Sequence, residues 1–173
     1  MGKIELKHGY KYINQKDKKW QEYFYAGQKP ENNACGPFVL KMVLDIFTNR
    51  NVELLELLKK GEEKYYTDEG TEWEYFKEVG EPYGIKVEEL LPDEKILKEA
   101  IKNGNLVILS QNNKLDNYWT TAGHYILLVK EIIKDGKEKY LVLDPASRER
   151  TDKEYDFDQI FIPCKRMWII SKN

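Results

Sequence analysis

The chain predicts an α+β fold, in which helices of the N-terminal part pack on an antiparallel β-sheet built from the C-terminal part. Three observations carry that expectation. From Cys35 onward, apolar residues recur at Phe38, Val39, Met42, Val43, Ile46 and Phe47, the spacing of a helix with a broad buried face. The segments 106–109, 124–133, 139–143 and 167–170 are rich in Val, Ile, Leu and Tyr, as strands are. Asp135-Gly136 lies between two of them and is a hairpin signal. Helices first and hairpin-linked strands afterwards describe α+β rather than alternating βαβ units.

The elements follow in order. A short extended entry covers 10–14. On the helix that begins at Cys35, Lys41 and Asp45 fall opposite the apolar stripe. A second helix carries Leu54, Leu55, Leu57 and Leu58. A third is expected to start at Thr71, because Thr71-Glu72-Trp73-Glu74 has the capping-box pattern, and to end near Gly80, before Pro82. Residues 93–103 repeat the helical spacing with Ile96, Leu97, Ala100 and Ile101, and Gly104 supplies a C-terminal cap. The acidic residues scattered from Glu62 to Glu94 read as solvated helix faces. The longest clean apolar run, Tyr125 to Val129, suits a buried strand.

With 173 residues, residues 1–173 are read as one domain, long enough to bury a full core. No repeat, low-complexity tract or Pro/Gly/Ser linker divides them. At 41% apolar and 34% charged, with a formal charge of −2, the composition is globular rather than disordered. That charge offers no footprint for a phosphate backbone, so no nucleic-acid partner is expected. No run approaches the ~18 apolar residues of a membrane span. The stretch Met1-Gly2-Lys3-Ile4-Glu5-Leu6-Lys7 lacks the apolar core of a signal peptide. It also carries Leu6 where a myristoylation signal has Ser or Thr. Localisation is left open between the cytoplasm and secretion after removal of a signal, and oligomeric state is open as well. Two cysteines, Cys35 and Cys164, make no disulfide scaffold. With His8 and His124 they form no paired ligand spacing, so neither a metal site nor a cofactor is expected.

The most informative stretch is Asn32-Asn33-Ala34-Cys35-Gly36-Pro37, followed at once by the amphipathic helix. A cysteine at a helix N-terminus meets unpaired N–H groups and the positive end of the helix dipole, which stabilise a thiolate, the nucleophilic form. Gly36 permits close approach, and Pro37 is tolerated in the first turn. The alternative is a cysteine buried as a small hydrophobe. A nucleophilic cysteine needs a histidine as proton acceptor and later donor. His8 sits in a polar, charged region and reads as a solvated surface residue. His124 follows Thr120-Thr121-Ala122-Gly123 and opens the most apolar strand, where a rigid sheet can aim it. Asp144 ends the strand Tyr140-Leu141-Val142-Leu143 before Pro145. It is placed to hold an imidazole in one tautomer, or else to form an Asp-Pro turn.

Six local patterns then stand in order: Tyr12-Ile13-Asn14-Gln15-Lys16-Asp17-Lys18-Lys19-Trp20; Cys35-Gly36-Pro37 with Met42-Val43-Leu44; Gly70-Thr71 through Tyr83-Gly84; Leu97 to Val107; Gly123-His124-Tyr125; and Leu143-Asp144-Pro145-Ala146. Over nearly its full length the chain resembles the bacterial papain-like cysteine peptidases of the C39-like group, related to the bacteriocin-processing, double-glycine leader peptidases. The resemblance implies a papain-like fold and a peptide or protein substrate. It also implies hydrolysis of peptide bonds through a Cys35-His124-Asp144 triad and a thioester acyl-enzyme. In that group a Gln ahead of the nucleophile helps to form the oxyanion hole. Gln15 matches the opening motif, while Gln28 and Asn33 lie nearer in sequence, and Gln28 has close to the spacing of the transporter-linked relatives. An amidase or transpeptidase using the same triad, and an inactive peptide-binding module of the same fold, are the alternatives. Trp119 is expected near the site and Cys164 in a structural role. A Cys35–Cys164 disulfide requires close approach and would silence the nucleophile.

Overall fold

The structure, a computed structural model, describes residues 4–5, 9–67 and 70–173, with Ile4 and Glu5 as backbone only. His8 lies outside the described residues, as does most of the N-terminal heptapeptide considered above. Two short strands, β1 (Ile4–Glu5) and β2 (Lys11–Tyr12), pair first. The helical part follows with a single turn α1 (Pro30–Asn33), then α2 (Cys35–Phe47) and α3 (Leu54–Lys64). The small hairpin β3 (Tyr66–Thr67) and β4 (Gly70–Thr71) comes next, then the short α4 (Tyr75–Gly80). Beyond it come β5 (Ile85–Leu90), α5 (Glu94–Lys102), β6 (Leu106–Gln111), α6 (Lys114–Asn117), β7 (His124–Lys134) and β8 (Lys137–Leu143). The chain ends with α7 (Arg148–Thr151), β9 (Glu154–Tyr155), α8 (Phe157–Phe161) and β10 (Cys164–Lys172).

Six of these strands form one sheet in the order β5-β10-β6-β7-β8-β9, and every neighbouring pair is antiparallel. Asp135 and Gly136, both at positive φ, make the β7–β8 turn, as the hairpin signal predicts. Because side chains alternate along a strand, the sheet has two apolar faces. Tyr125, Leu127, Val129, Leu141, Leu143 and Trp168 join the core formed with α2, α3 and α4. Ile126, Leu128, Val142, Met167 and Ile169 join a second core under α5 and α8, with Trp119 and Tyr155. The run Tyr125 to Val129 is therefore continuous because both of its faces are covered.

Four expectations are corrected. Thr71 does not cap a helix: it ends β4, and α4 begins at Tyr75. Its hydroxyl pairs with the Tyr25 hydroxyl at 2.8 Å, and its carbonyl accepts from the Tyr125 hydroxyl at 2.6 Å, so tertiary partners displace the local cap. Lys41 and Asp45 are not on an open face. Their side chains are 7% exposed and paired at 2.8 Å, because Trp20, Tyr23 and Leu54 fold over that side of α2. Glu88 and Glu89 belong to β5, an edge strand, rather than to a helix face. There Ile85 and Val87 point inward, and charge on the outward positions suits an edge. Finally, β6 and β10 run past the predicted 106–109 and 167–170.

Candidate active site

Cys35 is the first residue of α2, with Ala34 as an N-cap that makes no side-chain cap bond. The N–H groups of Cys35 and Gly36 have no partner within the helix, and Pro37 has no N–H at all. The half-exposed thiol thus sits at the positive end of a thirteen-residue helix. Gly36 is required by packing: a Cβ there would lie 2.9 Å from both Cβ and Oγ1 of Thr71. The Tyr25 and Tyr125 hydroxyls grip Thr71, and the β3–β4 hairpin is held against the start of α2.

The other two residues come from the sheet. In the β7–β8 register Leu127 faces Leu143, so His124 and Asp144 emerge at the same end of neighbouring strands. Their side chains meet there, with His124 Nε2 to Asp144 Oδ1 at 2.6 Å. Nε2 is thereby taken and Nδ1 is left, and the Cys35 side chain also bears on the charge of the imidazole. His124 is 8% exposed and Asp144 fully buried. Burial opposes an imidazolium, but the Asp144 carboxylate beside it, and Cys35 after it, raise the His124 pKa to about 10. Burial likewise opposes the Asp144 charge. The His124 imidazole, then Arg150 and the Ala146 N–H, outweigh it and hold that carboxyl below its ordinary value.

Asp144 has more partners than the sequence suggested. Oδ1 also accepts from the Ala146 N–H at 2.8 Å, and Oδ2 accepts from Arg150 Nε at 2.8 Å. Its backbone N–H donates to Thr151 Oγ1 at 2.9 Å, and its carbonyl accepts from the Tyr12 hydroxyl at 2.6 Å. A buried carboxylate is tolerable only when satisfied in this way. Tyr12 stood inside the opening motif, but Arg150 carried no periodic signal. The one local sign is Ser147, which caps α7 by accepting from the Arg150 N–H.

Of the three amide candidates, Gln15 is the buried one, at 3% exposure. Its Nε2 donates to the Pro30 carbonyl at 2.9 Å and lies 3.4 Å from the Glu31 carbonyl, both in the turn just ahead of Cys35. Its backbone N–H donates to the Pro145 carbonyl at 2.7 Å, tying it to the Asp144 turn as well. Gln28 is exposed in a tight turn with Tyr25. Asn33 is turned away, its Nδ2 donating to the Tyr25 carbonyl at 3.0 Å.

Trp119 does not line the site. It is buried in the second core, where Nε1 donates to the Gln159 carbonyl at 2.9 Å, and it is the carbonyl of its neighbour Tyr118 that reaches Arg150. Cys35 and Cys164 are both free and pack against different cores, and burial pushes the Cys164 thiol up to about 12. Among the described residues, no three His, Cys, Asp or Glu side chains gather as a metal site would require. Nor, among them, is any helix long and apolar enough to cross a membrane.

Solved structures with the same architecture are known. The peptidase domain of Streptococcus ComA, a bifunctional ABC transporter involved in a quorum-sensing pathway, superposes with a TM-score of 0.59 at 13% identity, over 82% of this chain and 93% of that one. A double-glycine-motif protease from an AMS/PCAT transporter, solved in complex with the leader peptide, gives 0.52 at 19% identity, over 80% and 84%. At these identities the likeness is one of fold, the papain-like fold of cysteine peptidase domains. No curated protein matches the chain. The model of one family matches residues 23–164, a stretch that contains Cys35, His124 and Asp144 and begins after Gln15. By that match the chain belongs to the peptidase C39 family.

Proposed function

We propose that this chain hydrolyses peptide bonds, with Cys35 as nucleophile, His124 as general base and acid, and Asp144 as the group that orients the histidine. The observation that carries the proposal is the buried 2.6 Å contact between His124 Nε2 and Asp144 Oδ1, which leaves Nδ1 to a cysteine at a helix N-terminus. In the first half-reaction the thiol proton passes to His124, and Sγ bonds to the scissile carbonyl carbon. His124 then protonates the departing amine as the C–N bond breaks, leaving a thioester. In the second half-reaction His124 takes a proton from water and the hydroxide displaces the sulfur. The peptide leaves as an acid, and the Cys35–His124 pair is restored.

The charge that develops on the carbonyl oxygen needs preorganised donors. The backbone N–H of Cys35 is one, and the Gln15 amide is the second that we propose. Nε2 carries two hydrogens. Nε2 donates to Pro30 at 2.9 Å and more weakly to Glu31 at 3.4 Å, and the weaker bond is the one an oxyanion would replace. A peptide substrate is supported by the leader peptide bound to the AMS/PCAT protease.

The test is alkylation of Cys35 by iodoacetamide across pH, read by mass spectrometry, in the native protein and in His124→Ala. The same samples are incubated with a peptide library, with Cys35→Ala as control. Labelling well below the pH of a free thiol (pKa about 8.5), lost in His124→Ala, together with cleavage absent from Cys35→Ala, is the expected result. A Cys35 that labels like an ordinary thiol in both proteins would overturn the proposal.

A further inference from the structure

We infer that Arg150 is a positioning residue of the site: one guanidinium holds both the Asp144 carboxylate and the main chain of the loop that delivers His124. This rests on the reading that His124 and Asp144 serve Cys35. The loop between β6 and β7 carries three consecutive non-glycine residues in the left-handed region, Leu115, Asp116 and Asn117, at φ of 60°, 55° and 58°. Such backbone persists only where surrounding contacts over-determine it. Beside the bonds within the loop itself, the next residue, Tyr118, ties it to the rest of the fold. Its carbonyl accepts from Arg150 Nη1 at 2.6 Å, and its hydroxyl pairs with that of Tyr155 at 2.8 Å. The Tyr155 hydroxyl in turn lies 2.9 Å from the Arg150 carbonyl. From the other edge of the same fork, Nε donates to Asp144 Oδ2 at 2.8 Å.

Arg150 thus spans two segments that are distant in sequence, the turn bearing Asp144 and the loop leading into His124. Its side chain is 23% exposed and the carboxylate it meets is fully buried, so water competes little for the Asp144 end of this contact. A planar guanidinium presents its donors at fixed angles, whereas a lysine offers a single ammonium point. An ammonium in its place could neutralise Asp144 without also fixing the Tyr118 carbonyl. The charged and titratable groups around the His124–Asp144 pair are Cys35 from α2, Arg150 and Arg148 from α7, Tyr12 from β2 and Tyr155 from β9. Among these, Arg150 is the cation bonded to the carboxylate.

The experiment uses the intact chain and the iodoacetamide profile of Cys35, which requires no substrate. Arg150→Met is expected to lower the labelling rate near pH 6 by at least about tenfold, the equivalent of one pH unit in thiolate population. Arg150→Lys should recover only part of it. In an Asp144→Asn background, adding Arg150→Lys should have a clearly smaller effect, because the bond to the carboxylate is already lost and only the Tyr118 contact remains to be removed. Circular dichroism establishes that each variant is folded. Should Arg150→Met fail to fold, Arg150→Lys with and without Asp144→Asn decides the matter. If His124→Ala abolishes the low-pH labelling while folded Arg150 variants keep it, the inference is overturned and the peptidase reading stands. Full rescue by Arg150→Lys, or an effect of Arg150→Lys that persists undiminished in Asp144→Asn, also overturns it. If native Cys35 shows no low-pH labelling at all, the peptidase reading falls and this inference falls with it.

Discussion

A thiol becomes a useful nucleophile at neutral pH when a neighbouring charge stabilises its anion. In the function proposed for this chain that neighbour is His124, whose pKa is raised by the Asp144 carboxylate 2.6 Å away. The pair was legible at the level of single residues because so few choices existed: two histidines and two cysteines in the whole chain, of which Cys35 opens the expected nucleophile helix and His124 the most apolar strand. Asp144 was legible only as the end of a strand before Pro145. Arg150 was not, because one basic residue in Ser147-Arg148-Glu149-Arg150 looks like another until the fold brings it to the carboxylate. Gln15 is where the residue scale makes its own prediction. If its amide exchanges the weak Glu31 contact for the oxyanion, Gln15→Ala should lower kcat by about 10²–10³, the usual cost of one such donor, and should leave KM nearly unchanged. Iodoacetamide labelling of Cys35 should stay at the native rate, since alkylation forms no oxyanion. Gln28→Ala, at an exposed turn, should behave as native. Steady-state kinetics on a peptide cleaved from the library, together with labelling read by mass spectrometry, checks all three, and a fall in kcat with Gln28→Ala instead would move the donor there.

At the level of elements, what places Cys35 is the fit between the first turn of α2 and the β3–β4 hairpin. Periodicity could announce α2 and the strands, because a buried face imposes its repeat on the sequence. It could not announce β4. Thr71-Glu72-Trp73-Glu74 satisfies a local capping rule, and only the distant Tyr25 and Tyr125 hydroxyls explain why Thr71 stays extended. The same blindness hid β5, whose Glu88 and Glu89 dilute the alternation of Ile85 and Val87 on an edge strand. The contact between α2 and β4 predicts its own failure. A methyl at Gly36 meets the Cβ and Oγ1 of Thr71 at 2.9 Å, and Thr71 is 6% exposed and hydrogen-bonded at both ends. Gly36→Ala should therefore cost about 1–3 kcal/mol of stability, as overpacking does, measured by denaturant unfolding. Thr71→Ala removes Oγ1 but keeps the Cβ and should relieve part of it, whereas Thr71→Gly should relieve more. Equal rescue by both would mean that the hydroxyl, not the Cβ, makes the clash.

For the molecule as a whole, the site is a joint between the two apolar faces of one sheet. Cys35 belongs to the helices on one face, while Tyr155, whose hydroxyl donates to the Arg150 carbonyl, belongs to the core on the other. Global stability should accordingly register the ionisation of the pair. His124 has a folded pKa raised to about 10, against about 6.5 for an unfolded imidazole. Its contribution is fully present below about pH 6.5 and is lost as pH rises through the folded value. Asp144 is held below its ordinary value, so its contribution is present above about pH 4 and is lost as pH falls through the depressed pKa. Stability from the pair is thus greatest between about pH 4 and 6.5 and declines into the alkaline range. In Cys35→Ala, which removes the thiol from the balance, that alkaline decline should persist, because Asp144 remains. In Cys35→Ala/Asp144→Asn the sign should reverse. Burial then acts on His124 without its carboxylate, and the unpaired Arg150 cation pushes the same way, so the imidazole is held neutral and its folded pKa falls below the unfolded one. Stability gained on passing from pH 6 to pH 8 would then replace stability lost. Thermal unfolding of the two proteins across that interval gives the answer directly. Opposite slopes mean that Asp144 sets the charge of His124, and parallel slopes mean that the 2.6 Å contact is structural and carries no such control.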